Sequence, residues 1–565
     1  MGCNGQRKTD PRTIGKRFAL VSIYDQAADK AKEQLDQISP SMCYAKWSQV
    51  SMHLTNGQTH SCYHPPTHSI PLDELKDNPT ALHNTKEKKE QRRQMLKGEK
   101  PDGCSYCWDI EDTGARSDRV YRSGEYWAQE SKEDILDAGA SGNINPRYVE
   151  VNFNQACNFK CSYCSPHLST AWQEEIDEFG EYPTTAPHNN IDSLALKNLM
   201  PLKVKQDLNP YVTAFWKWWP EMYKTLRVFR MTGGEPLMDK NTFKVLDYVL
   251  ANPNKDLELS ITTNMCPVND ALFVKFLDSV KRLDNVQHGA EVYVADPLDG
   301  TDWQTWDHAI IGADAKRYHD SNLAVIEREE IPQTFMQVGQ CEEQDNNSFT
   351  YIYEYNDKAY HNFSVFCSLD GWGEQAEYMR SGMDFDTVWN NCHRFLDETR
   401  FTSINFINTF NCLSVTSFKE FLQGILDLRE KWSKEVQYSM GWEVPEQRIW
   451  FDVPLLRAPA WQSIQVLPGQ YQEYMQEAIQ FMEQNKANEE YVDYKGFKDF
   501  EIAKVKRNLE FMKAELPHDK LIRDRADFYK FFTEHDRRRN TNYLATFPEM
   551  HDFWFMCEEA EALNG

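Results

Sequence analysis

The stretch "EVNFNQACNFKCSYCSPHLS", Glu150 to Ser169, constrains the chain more than any other. A strand-like run, Tyr148 to Phe153, leads directly into three cysteines, Cys157, Cys161 and Cys164, spaced C-x3-C-x2-C. Four thiolates close a structural zinc site or saturate a metal cluster. Three leave one coordination position free. On a [4Fe-4S] cluster that position is one iron without a protein ligand, open to a substrate or cofactor. The alternative reading of the same spacing is a zinc loop.

Around this loop the sequence reads as an α/β protein. Candidate strands fall at 148–153, 227–232, 257–263, 363–369, 402–409 and 446–453, with helical patterns at 241–251, 384–397 and 415–434. Alternating strand and helix argues for a parallel sheet or barrel, and six strands fit an incomplete barrel better than eight. Two connections, about 165–214 and 266–360, are too long to be simple and read as insertions; the second is acidic and aromatic ("DPLDGTDWQTWDH"). Beyond about residue 465 apolar residues recur at helical spacing in a charged background. The expected division is 1–147, 148–460 and a helical region at 461–565, since 565 residues exceed one ordinary domain.

The net charge of −25 argues against general duplex binding, which rests on neutralising phosphates. No run of eighteen apolar residues is present, so no membrane-spanning helix is expected. The N-terminus lacks signal-peptide character, and "MGCNGQ" has Gln6 where a myristoylation signal wants Ser or Thr. Cytoplasmic location follows as the expectation. Fourteen cysteines in such a chain point to metal or redox chemistry rather than disulfides.

"CNFKCSYC" resembles the signature loop of radical S-adenosylmethionine (radical SAM) enzymes, including Asn158 after the first cysteine and Tyr163 before the last. The resemblance implies a partial (β/α)6 barrel. It implies a [4Fe-4S] cluster on Cys157, Cys161 and Cys164 whose open iron binds S-adenosylmethionine (SAM), and a 5′-deoxyadenosyl radical that abstracts a substrate hydrogen. "MTGGEPLM" resembles the family's GGE motif and assigns Gly233, Gly234 and Glu235 to the SAM amino group. "TTN" brings Asn264 to the end of the third strand; "CSLDG" and "EYMRSG" bring Ser368, Asp370 and Arg380 toward the polar groups and carboxylate of SAM. A surface salt bridge is the plain alternative for Arg380.

Cys43, Cys62, Cys104 and Cys107 form a second group, C-x18-C-x41-C-x2-C, with "WSQVSMHL" and a Thr-Asn-Gly turn at 55–57 reading as a hairpin between the first two. This segment resembles the twitch and SPASM domains, which carry auxiliary [4Fe-4S] clusters. Twitch matches better, since four cysteines suffice for one cluster, but here the segment precedes the barrel rather than following it. A four-cysteine zinc knuckle is the alternative, and thiolate ligation alone does not separate the two. The resemblance implies an electron donor such as flavodoxin or ferredoxin and favours a peptide or protein substrate. A nucleotide, nucleobase or small metabolite is the alternative, and a non-enzymatic zinc-binding interaction protein the second alternative. Cys266 and Cys412 near strand ends are read as packing ahead of hydrogen-atom donors, Cys367 as packing, and His167, Asp452 and Arg457 as undecided.

Overall fold

The computed structural model describes residues 15–254, 256–287, 363–399, 402–432, 447–488 and 495–564. It also gives the backbone of strands at 291–295, 308–311, 335–340, 351–355, 435–437 and 443–445. Most of "DPLDGTDWQTWDH" lies outside these residues. The strands are β1 (Gln49–His53), β2 (Gln58–His60), β3 (His68–Ser69), β4 (Tyr148–Asn152), β5 (Lys160–Cys161), β6 (Val228–Thr232) and β7 (Glu258–Thr263). They continue with β8 (Glu291–Ala295), β9 (His308–Ile311), β10 (Phe335–Gln340), β11 (Tyr351–Tyr355), β12 (Phe363–Ser368) and β13 (Arg380–Ser381). The last are β14 (Thr402–Ile407), β15 (Glu435–Gln437), β16 (Glu443–Pro445) and β17 (Ile449–Asp452). Each of the six candidate strands forms, within three residues of its expected ends.

The chain divides into two compact units, the first being Met1–Phe153 with Pro201–Arg230. In it β1 and β2 make the hairpin, pairing Ser51 with His60. Gly57 turns it at φ +69°, and a Cβ there would meet the Tyr211 ring at 2.0 Å, so only glycine fits. β1 also runs parallel to β4, pairing Gln49 with Tyr148 and His53 with Asn152. Leu35, Met42, Tyr44, Trp47, Met95, Trp108 and Trp127 form a common core. The helix Pro210–Tyr223 starts on Asn209, whose side chain accepts from the Tyr211 and Val212 amides, with Pro210 at its first position. Its Phe215, Trp218 and Trp219 are buried and Trp216 half-buried.

The second unit is Asn154–Met200 with Met231–Gly565. Its frame is a parallel row, β7, β12, β14 and β17, in which Val365 pairs with both Ile261 and Ile404, and Phe406 with Phe451. β6, on which the chain enters this unit, flanks β7. Helices Lys240–Ala251, Asp270–Gln287, Phe385–Glu398 and Phe418–Trp432 alternate with the strands. This is an α/β arrangement with a parallel sheet. The 266–360 stretch supplies a separate antiparallel sheet, ordered β10-β11-β8-β9. From Gln472 on the chain is mainly helical, and helix His518–Arg539 buries Phe528, Phe531 and Phe532. The helix Asp499–Lys513 is tied in by a fully buried pair, Arg429 to Glu501 at 2.6 Å. No helix among the described residues is long and apolar enough to cross a membrane.

Candidate functional site

The three-cysteine loop is fixed by its own backbone. Asn154 accepts from the Ala156 amide at 2.6 Å. Thr170 accepts from the Cys157 amide and donates back to the Cys157 carbonyl, both at 3.2 Å. The Phe159 amide donates to Cys157 Sγ at 3.4 Å. Cys161 lies on β5, which pairs antiparallel with β13 so that Cys161 faces Arg380 across the ribbon. Trp172 Nε1 donates to the Cys161 carbonyl and the Cys164 amide to the same oxygen, each at 2.9 Å. Burial pushes the Cys157 thiol up to about 12, and the neighbouring Cys161 adds to the effect. The Cys164 thiol is also pushed up by burial, then by Cys161 and Cys157. Three neighbouring thiols that oppose one another's ionisation become thiolates when a cation supplies the compensating charge.

Facing the loop are the residues of the glycine motif. Gly233 has φ +132°, a backbone that side chains rarely adopt. A Cβ on Gly234 would lie 2.4 Å from the Ala156 carbonyl and 2.6 Å from that of Gln155. The motif therefore packs backbone to backbone on the cysteine loop, and the Glu235 amide donates to the Ala156 carbonyl at 2.6 Å. The Glu235 carboxylate accepts from Thr263 Oγ1 (2.7 Å), the Asn264 amide (2.7 Å) and the Leu237 amide (2.9 Å). Burial outweighs these bonds and pushes its pKa up to about 7. Asn264 Nδ2 donates to Asn158 Oδ1 at 3.0 Å, and Asn158 Nδ2 to the Cys266 carbonyl at 2.8 Å. The third-strand motif and the loop are thus joined through Asn158.

Beside Cys161 a polar cluster forms. Arg380 Nε donates to Asp370 at 2.7 Å, one Nη to Tyr163 Oη at 2.6 Å, and the other to Cys161 Sγ at 3.5 Å. Tyr163 Oη donates to Asp370 at 2.7 Å, and the Thr409 amide donates to the other Asp370 oxygen at 2.8 Å. Arg380 is therefore buried in an internal ion pair and not a surface salt bridge. Ser368 stands half-buried at the end of β12, in register with Ile407. Cys367 and Cys412 are fully buried and Cys266 nearly so. His167 bonds Ser165 at 2.5 Å, and Asp452 pairs with Lys504 at 2.8 Å.

Residues that sequence reading did not select also hold the loop. Arg539, at the end of helix His518–Arg539, donates to the Lys160 carbonyl at 2.7 Å and doubly to Glu175 at 3.0 Å, above the Trp172 ring. Lys160 joins the same Glu175 at 2.7 Å. Ser162 donates to Gln462 at 2.9 Å, and His188 Nε2 lies 2.9 Å from the Tyr163 carbonyl. No local pattern marks Arg539 or Gln462, because the loop residues they bond lie 379 and 300 positions away in the chain.

In the first unit, Cys43, Cys62, Cys104 and Cys107 line one small cavity with Lys46, Trp108, Asp118, Arg119 and Arg122. Cys43 precedes the short helix Ala45–Ser48, Cys62 follows β2, and Cys104 and Cys107 stand at the start of helix Ser105–Asp112. Burial, then Cys43, pushes Cys62 up to about 11 and Cys107 up to about 12. Among the described residues no three His, Cys, Asp or Glu side chains converge on a single ion-binding point. A four-iron cluster, were one bound, would be held by Cys43, Cys62, Cys104 and Cys107 through separate irons rather than at one point.

No family model and no solved structure matches the chain. Three curated proteins are similar over part of it, each called GTP 3′,8-cyclase. That of Campylobacter jejuni (strain RM1221) is 27% identical over 139 residues, 24% of this chain and 33% of the relative. That of Campylobacter curvus (strain 525.92) is 28% identical over 117 residues, 21% and 27%. That of Aliarcobacter butzleri (strain RM4018) is 28% identical over 121 residues, 21% and 27%. The matches span a third or less of these relatives' length.

Proposed function

We propose that the chain is a radical SAM enzyme whose Cys157, Cys161 and Cys164 hold a [4Fe-4S] cluster with one iron left for SAM. The observation that carries this reading is the set of neighbouring, half-buried thiols in one loop, cradled by the Gly234 backbone and flanked by Glu235 and the Asp370–Arg380–Tyr163 cluster. The donor chemistry fits: three thiols need a cationic group to ionise together, and a cluster spreads them over separate irons. The partial likeness to GTP 3′,8-cyclases, enzymes of the radical SAM kind, supports the same chemistry.

When bound, the cluster and SAM together supply one-electron cleavage of the sulfonium and a radical that abstracts hydrogen. The chain's own residues orient and insulate. Glu235 retains acceptor capacity for an ammonium group beyond its three internal bonds. Arg380 offers a guanidinium beside Cys161, held there by Asp370 and Tyr163; its attraction for the carboxylate of SAM is the role its chemistry supports. Asn264, Asn158 and Ser368 complete the polar rim.

In the same reading the enclosing frame is a partial (β/α)6 barrel, and Cys43, Cys62, Cys104 and Cys107 belong to a twitch-like domain with an auxiliary [4Fe-4S] cluster. The four thiols around one cavity support it. Electrons come from a small donor such as flavodoxin or ferredoxin. The substrate proposed first is a peptide or protein. A nucleotide is the second reading, motivated by the substrate in the relatives' name. Deuterium transfer from labelled candidate substrates into 5′-deoxyadenosine separates the two. The reading as a whole is tested by assaying iron, sulfide and zinc after anaerobic purification. About seven to eight irons per chain are expected for two such clusters; zinc alone rejects the proposal.

A further inference from the structure

The first unit buries two basic side chains with no carboxylate among their hydrogen-bond partners. Lys88 and Arg92, on helix Lys86–Leu96, are fully buried, as is His83. Lys88 Nζ lies 2.7 Å from His83 Nδ1 and 3.4 Å from the Gln49 carbonyl. Arg92 donates to Asn84 Oδ1 at 2.9 Å and to the Lys46 carbonyl at 3.3 Å, and lies 3.1 Å from His83 Nε2. Every one of these partners is neutral or cationic. A buried cation without a counter-charge is strongly unfavourable.

Burial, then Arg92 and Lys46, pushes the Lys88 amine well below its usual range, and Cys62 alone pulls the other way. Burial lowers Arg92 to about 9, with no carboxylate opposing it. Lys46, nearly fully buried itself, connects this layer to the four-cysteine cavity: its carbonyl accepts from Arg92 at 3.3 Å and it lines the cavity with Asp118, Arg119 and Arg122, of which Arg119 is already paired with Glu111 at 2.8 Å.

We propose that the four-cysteine cavity is built for an anionic metal–thiolate group, and that Lys88 and Arg92 are its buried counter-charges. The proposal rests on the reading of Cys43, Cys62, Cys104 and Cys107 as ligands. Four thiolates around a dipositive core leave two negative charges, and those charges supply what the cationic layer lacks. Two consequences follow. The loaded protein gains stability from charge balance, and the cations favour the more negative, reduced state of a redox-active group.

The test uses full-length protein carrying Cys157→Ala, Cys161→Ala and Cys164→Ala, so that only the first group binds metal. Into it are placed Lys88→Met, Arg92→Met and the charge-keeping control Arg92→Lys. Iron, sulfide and zinc per chain, the midpoint potential, and Tm before and after chelator stripping are measured. Metal content is expected to persist. Each Met variant lowers the redox equilibrium constant about tenfold, roughly 59 mV for one electron. Each also narrows the Tm gap between loaded and stripped protein, while Arg92→Lys changes neither. Met variants that load normally but keep both the potential and the gap overturn the proposal. If the group is zinc, the iron–sulfur reading fails and the Tm gap alone decides the counter-charge. A parent protein that binds neither iron nor zinc overturns both.

Discussion

Arg380 bridges Asp370 and Cys161: its Nε meets the carboxylate at 2.7 Å and an Nη meets the sulfur at 3.5 Å, with the ion pair removed from solvent. Asp370 therefore decides where the guanidinium stands. Asp370→Asn keeps the shape and leaves the cation unpaired. The expected loss is roughly 3–5 kcal/mol of stability, read in a denaturant titration. A loss under about 1 kcal/mol, within the range of an exposed pair, would show that the cluster is not the closed network described.

Glu235 makes the stability depend on pH. Its carboxyl is raised from 4.5 to about 7 by burial. The folded state thus holds this proton more tightly than the unfolded chain. Its stabilising effect is fully present below pH 4.5 and is lost as pH rises through about 7. The difference amounts to about 3 kcal/mol. Glu235→Gln is expected to flatten this part of the profile and to be relatively more stable at pH 8. Parallel profiles for the two proteins between pH 5 and 8 would remove burial as the governing influence on Glu235.

How much of this was legible beforehand depended on range. The loop, the glycine motif and the six strands announce themselves in stretches of a few residues, because spacing and alternation are local. The β1–β2 hairpin was readable for the same reason, through its turn at Gly57. The parallel partnership of β1 with β4 was not: Gln49 and Tyr148 carry no mark that joins them. Nor does the sequence mark where 165–214 divides: its residues up to Met200 belong to the second unit and those from Pro201 to the first.

Arg539 shows the same limit. Its bond to the Lys160 carbonyl spans 379 residues, and in sequence it is one basic residue of the run "DRRRN". Arg539 and Glu175 are each about 2% exposed. Arg539→Met is expected to lower stability by roughly 3–5 kcal/mol, since Glu175 loses its main partner. It is also expected to speed iron loss to a chelator, since the Lys160–Cys161 backbone is released. Chelation kinetics equal to those of the parent protein would mean that the C-terminal helix does not brace the loop.

Gly234→Ala tests the cradle. The added methyl meets two backbone carbonyls within 2.6 Å, which cannot swing aside as a flexible side chain would. Overpacking of this kind destabilises by about 1–3 kcal/mol, and the displaced loop should retain less iron. A variant with unchanged melting and unchanged iron content would contradict the close packing of motif and loop.

The central claim concerns the three sulfurs of Cys157, Cys161 and Cys164. It is tested most directly by reducing the anaerobically reconstituted protein with dithionite in the presence of SAM and quantifying 5′-deoxyadenosine, for the parent chain and for Cys161→Ala. The account predicts product from the parent and none above background from the variant, whose two remaining thiols do not hold a productive cluster. Equal 5′-deoxyadenosine from both proteins, or none from an iron-loaded parent, would contradict it.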